Sequence, residues 1–346
     1  MKKLLLGLCL LISTLANTQN DTFRNFLILG VERAEALTEA YVNPLSEGLM
    51  YGITAGWYNS AVADNKWSVD LSLITNGSFI PSEKLTSTLD LSTIENLSVA
   101  GGGNTVELPT ILGGTDTSVT LIATLNGQDY EFEAPTGIGL ADVSLLPTVF
   151  LQSSVGMPFY TEAVVRFIPK IDVDNVGAGI FGLGLKNEVS RWFSNGEPTK
   201  IAVSALLAFN TLDVDYKLQQ GQIVTGTNHR LEANLDTWLF EAIASTNNPI
   251  YNGYIGLGYI TGNANYDMKG TYTINNQVQD ITFVDPFSIE NNVDGIRLNI
   301  GGKIRMGWFS VNADYTFQGY NNLSVGLNFD LYNKDRQPAK PKEQPE

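Results

Sequence analysis

The sequence has little of the chemistry on which soluble enzymes and metalloproteins depend. Among 346 residues there are one cysteine and one histidine, and charged residues make up 16%, against about 25% in an ordinary globular domain. These numbers exclude a disulfide framework and a Cys/His zinc site. The net charge of −15 argues against nucleic acid as a partner, because the phosphate backbone needs a basic surface. We therefore expect no cofactor, no metal and no nucleic acid.

Long apolar runs are also scarce, apart from one at the amino terminus. The basic start Met1-Lys2-Lys3 precedes an apolar stretch from Leu4 to Ala16, which ends in a small-x-small cleavage motif. This pattern predicts a signal peptide over residues 1–16 and a mature chain that begins near Asn17. No later stretch approaches the roughly 20 apolar residues of a membrane-spanning helix, so an inner-membrane helical bundle is excluded.

What recurs is strict alternation of apolar and polar residues, as in Trp67–Leu73, Ile296–Ile300 and Leu323–Leu331. This period predicts strands with one apolar and one polar face. A soluble sandwich buries the apolar face between two sheets, whereas a transmembrane barrel turns it to lipid. Strands of about ten residues and aromatic residues near the strand ends favour the barrel. These aromatic residues are Trp57, Trp67, Phe159, Trp192, Trp308 and Tyr332.

We predict an all-β fold, an antiparallel transmembrane β-barrel of about 12 (12–14) strands over residues 47–332, with short periplasmic turns and long extracellular loops. Residues 77–118 are the least regular part and could hold the two additional strands. The twelve predicted strands are 50–58, 66–75, Val119–Leu125, 141–152, 159–168, 178–190, 199–211, 230–243, 250–263, 295–306, 308–318 and 322–332.

The segment over residues 17–46 differs from the rest because its apolar residues have helical spacing. We predict a helix that ends at Pro44 and lies either in the lumen, as a plug, or in the periplasm. A plug would cover the apolar stripe of this helix. Residues 333–346 contain three prolines and mixed charges, which predicts a disordered periplasmic tail.

The residues from Tyr41-Val42-Asn43-Pro44-Leu45 through Gly56-Trp57-Tyr58 resemble an uncharacterised family of Bacteroidota outer-membrane barrels, known as a domain of unknown function. More distantly, a helix with Asn43-Pro44 ahead of the first strand is similar to the hatch of FadL-type fatty-acid transporters, in which hydrophobic cargo leaves sideways through a strand kink. The resemblance implies a location in the outer membrane of a Gram-negative bacterium, contact with outer-membrane lipid, and the barrel-assembly machinery as a partner during biogenesis. It also implies transport of a hydrophobic small-molecule ligand.

The charged residues on the predicted polar faces are the candidate ligand-binding or lumen-facing residues. They form either a salt-bridged lumen or a polar translocation path, and a register error of one residue would reverse the orientation of a whole strand. The set comprises Glu162, Arg166, Lys186, Glu188, Arg230, Glu232, Asp236, Arg297, Lys303, Arg305 and Asp314, together with Asn43 and Pro44 of the hatch.

Two classes of function follow. A transporter of a hydrophobic or small ligand predicts a lateral opening near interruptions such as Pro147 or Gly301-Gly302. A non-transporting structural or interaction barrel, which displays its loops or anchors a periplasmic partner, predicts a tightly packed lumen. The only imidazole, His229, has no nucleophile pattern nearby and is expected in an exposed loop, so we expect no catalytic residue and no enzyme.

Overall fold

The computed structural model describes residue 27 and residues 30–116, 119–125, 128–140, 144–218, 224–274 and 280–332. The predicted signal peptide and the predicted tail lie outside these residues. Within the described ranges the helices are α1 (Val31–Ile53) and α2 (Ser190–Phe193), and none is long and apolar enough to cross a membrane. The strands are β1 (Val69–Phe79), β2 (Thr86–Asp90), β3 (Leu97–Val99), β4 (Thr105–Pro109), β5 (Thr120–Leu125), β6 (Gln128–Glu133), β7 (Leu145–Met157), β8 (Thr161–Val173), β9 (Val176–Asn187), β10 (Ile201–Lys217), β11 (Val224–Thr246), β12 (Tyr251–Ile274), β13 (Ile281–Val284), β14 (Phe287–Met306), β15 (Phe309–Phe317) and β16 (Asn322–Tyr332).

Among the described residues, ten of these strands close into an antiparallel barrel. The order around the ring is β1, β7, β8, β9, β10, β11, β12, β14, β15 and β16, and β16 pairs back onto β1. The short strand β13 pairs with β12 outside the ring. Every strand of the ring pairs with both of its neighbours, as closure of a barrel requires, although β7 and β8 pair along only part of their length.

The all-β class and the closed antiparallel barrel are confirmed, but the predicted count of twelve strands is not. Residues 50–58, predicted as a strand, form the end of α1 and an irregular segment. The predicted strand Val119–Leu125 exists as β5, yet it belongs to a small sheet with β3 and β6 outside the barrel. In both places apolar residues pack against other parts of the chain instead of lying on the outside of the barrel, so apolar content alone did not predict their position.

The two ends of the barrel differ in what connects the strands. One end, termed the cap end, carries the cap, residues 80–140, with the sheets β2–β4 and β3–β5–β6. The other end, termed the turn end, has the connections 158–160, 188–200, 247–250 and 307–308, of which the longest, 188–200, contains α2 and the others have two to four residues. At the cap end β11 and β12 extend as a long hairpin, so the predicted loops 212–229 and 264–294 are largely strand. The long strands β11 and β12 therefore project beyond the ring.

Helix α1 and residues 54–66, together termed the plug, cross the inside of the barrel from the cap end to the turn end. Near its start, the carbonyl of Tyr41 accepts a hydrogen bond at 3.0 Å from the backbone N–H of Ile111 in the cap. Near its end, the carbonyl of Ser60 accepts one at 3.1 Å from Lys186 Nζ, at the turn end of β9. The chain then enters β1 from the turn end.

The prediction that Pro44 ends the helix is wrong, because α1 continues to Ile53. Proline lacks the N–H that would bond four residues back, and tertiary contacts compensate for this loss. The carbonyl of Pro44 accepts a 2.7 Å hydrogen bond from Tyr320 Oη, and Met50 and Ile53 are fully buried beyond it. Packing inside the barrel thus overrides a local helix-breaking signal.

Candidate functional site

Most of the candidate charges project into the barrel. The side chains of Glu162, Arg166, Lys186, Glu188, Arg297 and Asp314 are buried, and those of Lys303 and Arg305 line a cavity at the turn end. Each lies on the inward-facing set of positions of its strand or immediately after it. The structure therefore gathers eight charged groups from four different strands around the plug.

For Arg230, Glu232 and Asp236 the predicted inward orientation is wrong. On β11 the inward positions are odd-numbered, and Leu231 and Leu235 on that face are buried. At the cap end the inner face of β11 packs against the apolar residues of α1. The outer face of β11 at this height lies beyond the apolar band of the barrel and carries polar residues. The polarity of the two faces is therefore reversed. Arg230 pairs with Glu232 at 2.6 Å on the outside.

Two buried arginines hold the carboxyl end of α1 from opposite walls. Arg166 on β8 donates to the carbonyls of Ile53 at 2.7 Å and Ala55 at 2.9 Å. Arg297 on β14 donates to the carbonyl of Thr54 at 3.0 Å. Because β8 and β14 lie five strands apart in the ring of ten, the two side chains approach from opposite sides. The last carbonyls of a helix lack internal partners and carry negative partial charge, so cations are favourable there.

The guanidinium of Arg166 is also enclosed by aromatic rings. It lies 4.2 Å from the ring centroid of Trp57 and 4.1 Å from that of Phe150, and Gln152 Oε1 accepts from it at 2.9 Å. Its hydrogen-bond partners are thus neutral, and the rings supply cation–π contacts. Trp57, predicted at the membrane interface, is instead 2% exposed inside the lumen.

Beside Arg166 and Arg297, together termed the clamp, tyrosine–carboxylate hydrogen bonds join the plug to the barrel wall and join two strands of the wall to each other. Tyr58 Oη donates to Glu241 Oε1 at 2.6 Å, and Tyr254 Oη donates to Asp314 Oδ2 at 3.0 Å. Glu241 also lies 3.6 Å from Arg297. Sequence reasoning missed Glu241, although a lone acidic residue in the apolar run 238–244 was the available signal.

At the turn end, lysines bind both the wall and the plug. Lys186 Nζ lies 2.7 Å from Glu162 Oε2, and Lys303 Nζ donates to Asn59 Oδ1 at 2.7 Å. A polar cavity of about 190 Å³ is lined by these groups and bounded by Trp57. Several of the candidate charged side chains therefore hold the plug in place, and the cavity that they line is small.

Strand pairing is interrupted on one side of the barrel, between β7 and β8. The two strands pair only from Gln152–Arg166 to Met157–Thr161, although β7 pairs with β1 along residues 145–155. Among the described residues this leaves 145–151 of β7 and 167–173 of β8 without mutual pairing. We term this region the seam.

Proline accounts for the seam. Pro147 lies in the unpaired part of β7 and Pro169 in that of β8, where the pairing of β8 with β9 also shifts register between Ile168 and Ile171. Proline has no N–H for a ladder hydrogen bond and occurs in strands at edges and bulges. The sequence thus specifies two strand halves that cannot pair fully with each other.

Apolar side chains border the seam on the outside. Leu151 and Phe167 are 40% and 53% exposed. Inside, helix α1 approaches closely at glycine: a Cβ at Gly48 would lie 3.1 Å from Leu146 Cδ2, and one at Gly52 would lie 3.4 Å from Thr148 Cγ2. The seam is therefore a break in the barrel wall, backed by the plug and bordered by apolar residues.

A family model matches residues 1–331 of the chain, under the description "Family of unknown function (DUF6588)". The chain belongs to this family. Membership in an uncharacterised family is thereby confirmed, while a Bacteroidota origin stays a prediction. No curated protein sequence matches the chain.

Among solved structures, the chain is similar to Ail, the attachment invasion locus protein of Yersinia pestis, with 8% identity and a TM-score of 0.27 over 77% of this chain and 99% of Ail. It is similar to the translocator domain of autotransporter NalP from Neisseria meningitidis, with 12% identity and a TM-score of 0.26 over 77% and 89%. The toluene transporter TbuX of Ralstonia pickettii gives 10% identity and a TM-score of 0.17 over 78% and 90%. Similarities this low carry no argument about function.

The remaining residues singled out in the sequence, Asn43 of the predicted hatch and His229, make contacts that hold the fold together. In α1 the carbonyl of Asn43 accepts from Asn291 Nδ2 at 3.2 Å, which ties the predicted hatch to β14. His229 is buried, which corrects the expectation of an exposed loop. Its ring stacks on Tyr272 at 4.3 Å, and its Nε2 lies 2.8 Å from the carbonyl oxygen of Thr271.

Proposed function

We propose that the protein is an integral outer-membrane barrel that is closed along its axis by its own plug and exchanges a hydrophobic small molecule with the membrane through the seam. The observation that carries this proposal is the interrupted pairing of β7 and β8. Outer-membrane lipid surrounds the barrel, and the barrel-assembly machinery inserts it. The proposed role includes no enzymatic activity.

Membrane insertion is supported by the height of the apolar outer surface. On β14 the outward positions from Ile296 to Met306 are apolar apart from Gly302, whereas Asp294 and Asn292 on the same face are polar. Ten residue steps at about 3.4 Å, tilted by about 40°, span about 26 Å. A barrel in the outer membrane has an apolar band of about 25 Å.

Aromatic residues lie in register at the upper edge of this band. Phe209 of β10 pairs with Trp238 of β11, and Tyr259 of β12 pairs with Ile296 of β14. The Phe209 and Trp238 rings are 4.9 Å apart. Aromatic girdles of this kind sit at membrane–water interfaces, where an apolar ring and a polar tip are both accommodated. Trp308, at the turn end, is 66% exposed on the other side of the band.

The seam supports lateral exchange because unpaired backbone is costly in a membrane. Each unsatisfied N–H or C=O in hydrocarbon costs several kcal/mol, so irregular backbone persists only where protein, water or a ligand lines it. The two prolines remove two donors, and apolar side chains border the opening. An apolar molecule can therefore approach the seam from the bilayer without crossing polar groups.

The other predicted interruption, at Gly301-Gly302, gives no such support. At Gly301, named above as an interruption, pairing continues to Tyr254 on one side and Asp314 on the other. An axial route is blocked by Trp57 and Tyr58 of the plug. The tightly bound lumen is the observation that favours the second candidate, a non-transporting barrel that displays the cap.

A disulfide across the seam tests the proposal. In Leu151→Cys/Phe167→Cys the two thiols replace the residues just beyond the last paired positions, so oxidation extends the pairing and narrows the seam. The matched control is Ser153→Cys/Val165→Cys, an outward pair in the part that is already paired. The predicted mature chain has no other cysteine, because the only one is Cys9.

The assay follows uptake of the fluorescent probe N-phenyl-1-naphthylamine by cells that express each variant, before and after reduction. The proposal predicts that the oxidised seam pair lowers uptake to the level of cells without the protein and that reduction restores it. The control pair should have no effect. Equal uptake with and without the wild-type protein would favour the display barrel. Boiled and unboiled samples of the outer-membrane fraction, compared by gel mobility, verify that every variant forms a folded barrel.

A further inference from the structure

The cavity at the turn end contains charges of both signs that do not neutralise one another. Lys186 and Glu162 form a 2.7 Å ion pair on its wall. Asp64, Asp70 and Lys303 also line the cavity, but no ion pair among the described residues includes any of these three. The cavity therefore keeps one cation and two carboxyl groups that can bind a ligand.

The two carboxyl groups lie next to each other. Asp64 belongs to the plug and Asp70 to the first part of β1, and their side chains are in hydrogen-bonding contact. Two carboxylates this close repel each other, and a cationic group bound between them would remove this repulsion. This side of the cavity is therefore suited to an ammonium group.

Lys303 of β14 lies on another side of the cavity and makes a contact with a neutral group only. Its Nζ donates to Asn59 Oδ1 at 2.7 Å, which uses one of the three donors of an ammonium group. Arg305, two residues further along β14, also lines the cavity, and its distance of 3.9 Å from Asp330 is long for an ion pair. This side of the cavity is therefore suited to a carboxylate.

Neutral side chains separate the two charged sides. Strands β15 and β16 lie between β14 and β1 in the ring, and they contribute Asn312 and Asn328, which are hydrogen-bonded to each other at 2.8 Å. Three strand spacings of about 4.8 Å place the backbones of β14 and β1 about 14 Å apart along the wall. Lys303 and Asp70 do not pair over this distance, whereas a small molecule with two opposite charges can bridge their side chains.

The size and position of the cavity limit its ligand to a small molecule. Its volume is about 190 Å³, below the roughly 300–1,000 Å³ of sites for drug-sized ligands. The exposed residues 247–250 line the cavity at the turn end, and Trp57 and Tyr58 bound it inside the barrel. A ligand therefore enters from the turn end and stops at the plug.

We propose that this cavity binds a free α-amino acid, with the ammonium group between Asp64 and Asp70 and the carboxylate on Lys303. Because Asp64 belongs to the plug and the other two residues belong to the wall, the bound amino acid joins the plug to the wall. The site is separate from the seam and does not depend on lateral exchange, so each proposal can fail without the other.

Ligand-observed NMR on the purified full-length protein in detergent tests the site, with L-alanine as the probe. Propionate lacks the ammonium group of alanine and ethylamine lacks its carboxylate, so each analogue carries only one of the two charges. The variants are Asp64→Asn/Asp70→Asn and Lys303→Gln. Asp213→Asn/Asp236→Asn, on the outer face of the barrel, is the matched control for the loss of two carboxylates. Every variant must retain the heat-modifiable mobility of the wild type.

The wild type and the control should bind alanine at least about tenfold more tightly than either analogue, because each charged contact contributes about this factor. Asp64→Asn/Asp70→Asn should bind alanine no more tightly than propionate, and Lys303→Gln should bind it no more tightly than ethylamine. A general loss of packing would not change the selectivity in these two different ways. The proposal is overturned if the wild type does not bind alanine, if it binds either analogue equally well, or if the two variants keep the wild-type selectivity.

Discussion

Replacement of Arg166 by methionine tests whether the plug is held by its clamp. Methionine is also long and unbranched, so it can still lie between Trp57 and Phe150, but it cannot donate to the carbonyls of Ile53 and Ala55. The change therefore removes hydrogen bonding and charge while it retains most of the packing. Truncation to alanine would add a cavity term of about 2 kcal/mol or more and is less informative.

The expected loss follows from the two orphaned carbonyls. A hydrogen bond to a charged group contributes about 1.5–3 kcal/mol, and a buried acceptor without a partner costs about 1–3 kcal/mol. The variant also no longer pays the free-energy cost of burying the Arg166 charge, and this gain offsets part of the loss. We expect Arg166→Met to lower the free energy of unfolding by about 2–4 kcal/mol.

The matched control is Arg230→Met on the outer face of β11, where the arginine pairs with Glu232 and its side chain is 39% exposed. Exposed ion pairs contribute about 0–1 kcal/mol, so this variant should remain within about 1 kcal/mol of the wild type. Urea titration in detergent, with the folded fraction read from cold-SDS mobility, gives both values. A loss below about 0.5 kcal/mol for Arg166→Met, or equal losses in the two variants, would refute the role of the clamp.

Two further predictions concern the membrane band and the seat of the plug. Ile300→Arg, at mid-height on the outer face of β14, should cost about 2–4 kcal/mol in lipid vesicles, whereas Ser288→Arg on the same face beyond the band should cost little; equal costs would contradict the proposed band. Gly184→Val places a Cβ 2.8 Å from the Trp57 ring and should cost about 1–3 kcal/mol and shift tryptophan fluorescence. Gly253→Val, with open space around it, should change neither the free energy of unfolding nor the fluorescence. If Gly184→Val also changes neither quantity, the Trp57 indole does not pack against Gly184.

Period-two alternation predicted the ring strands because most ring strands have one apolar side on the outside of the barrel over much of their length. The last strand, predicted over 322–332, has these bounds in the structure, and β15 differs from its prediction by one residue at each end. The seam was anticipated near Pro147 but not the contribution of Pro169. The apolar–polar pattern of a strand predicts its position well where each of its two faces has the same environment along the whole strand.

The errors arise where that environment changes along the chain. In β11 the inner face meets apolar helix near Leu235 and polar groups near Glu241, so no single assignment of faces fits the whole strand. Residues 50–58 were predicted as a strand, whereas contacts inside the barrel hold them as the end of α1 and the irregular segment that follows it. The clamp could not be deduced because Arg166 and Arg297 meet through a segment more than 100 residues away from either.

The central claim is that the barrel is closed along its axis by its own chain. Planar-bilayer recording of the purified wild-type protein, with heat-modifiable mobility as evidence of folding, tests it most directly. We expect no steady ion conductance from the wild type and channel openings from Arg166→Met/Arg297→Met, in which the clamp is lost from both walls. Steady conductance of the wild-type protein would contradict the claim, because an open axial path cannot coexist with the plug described here.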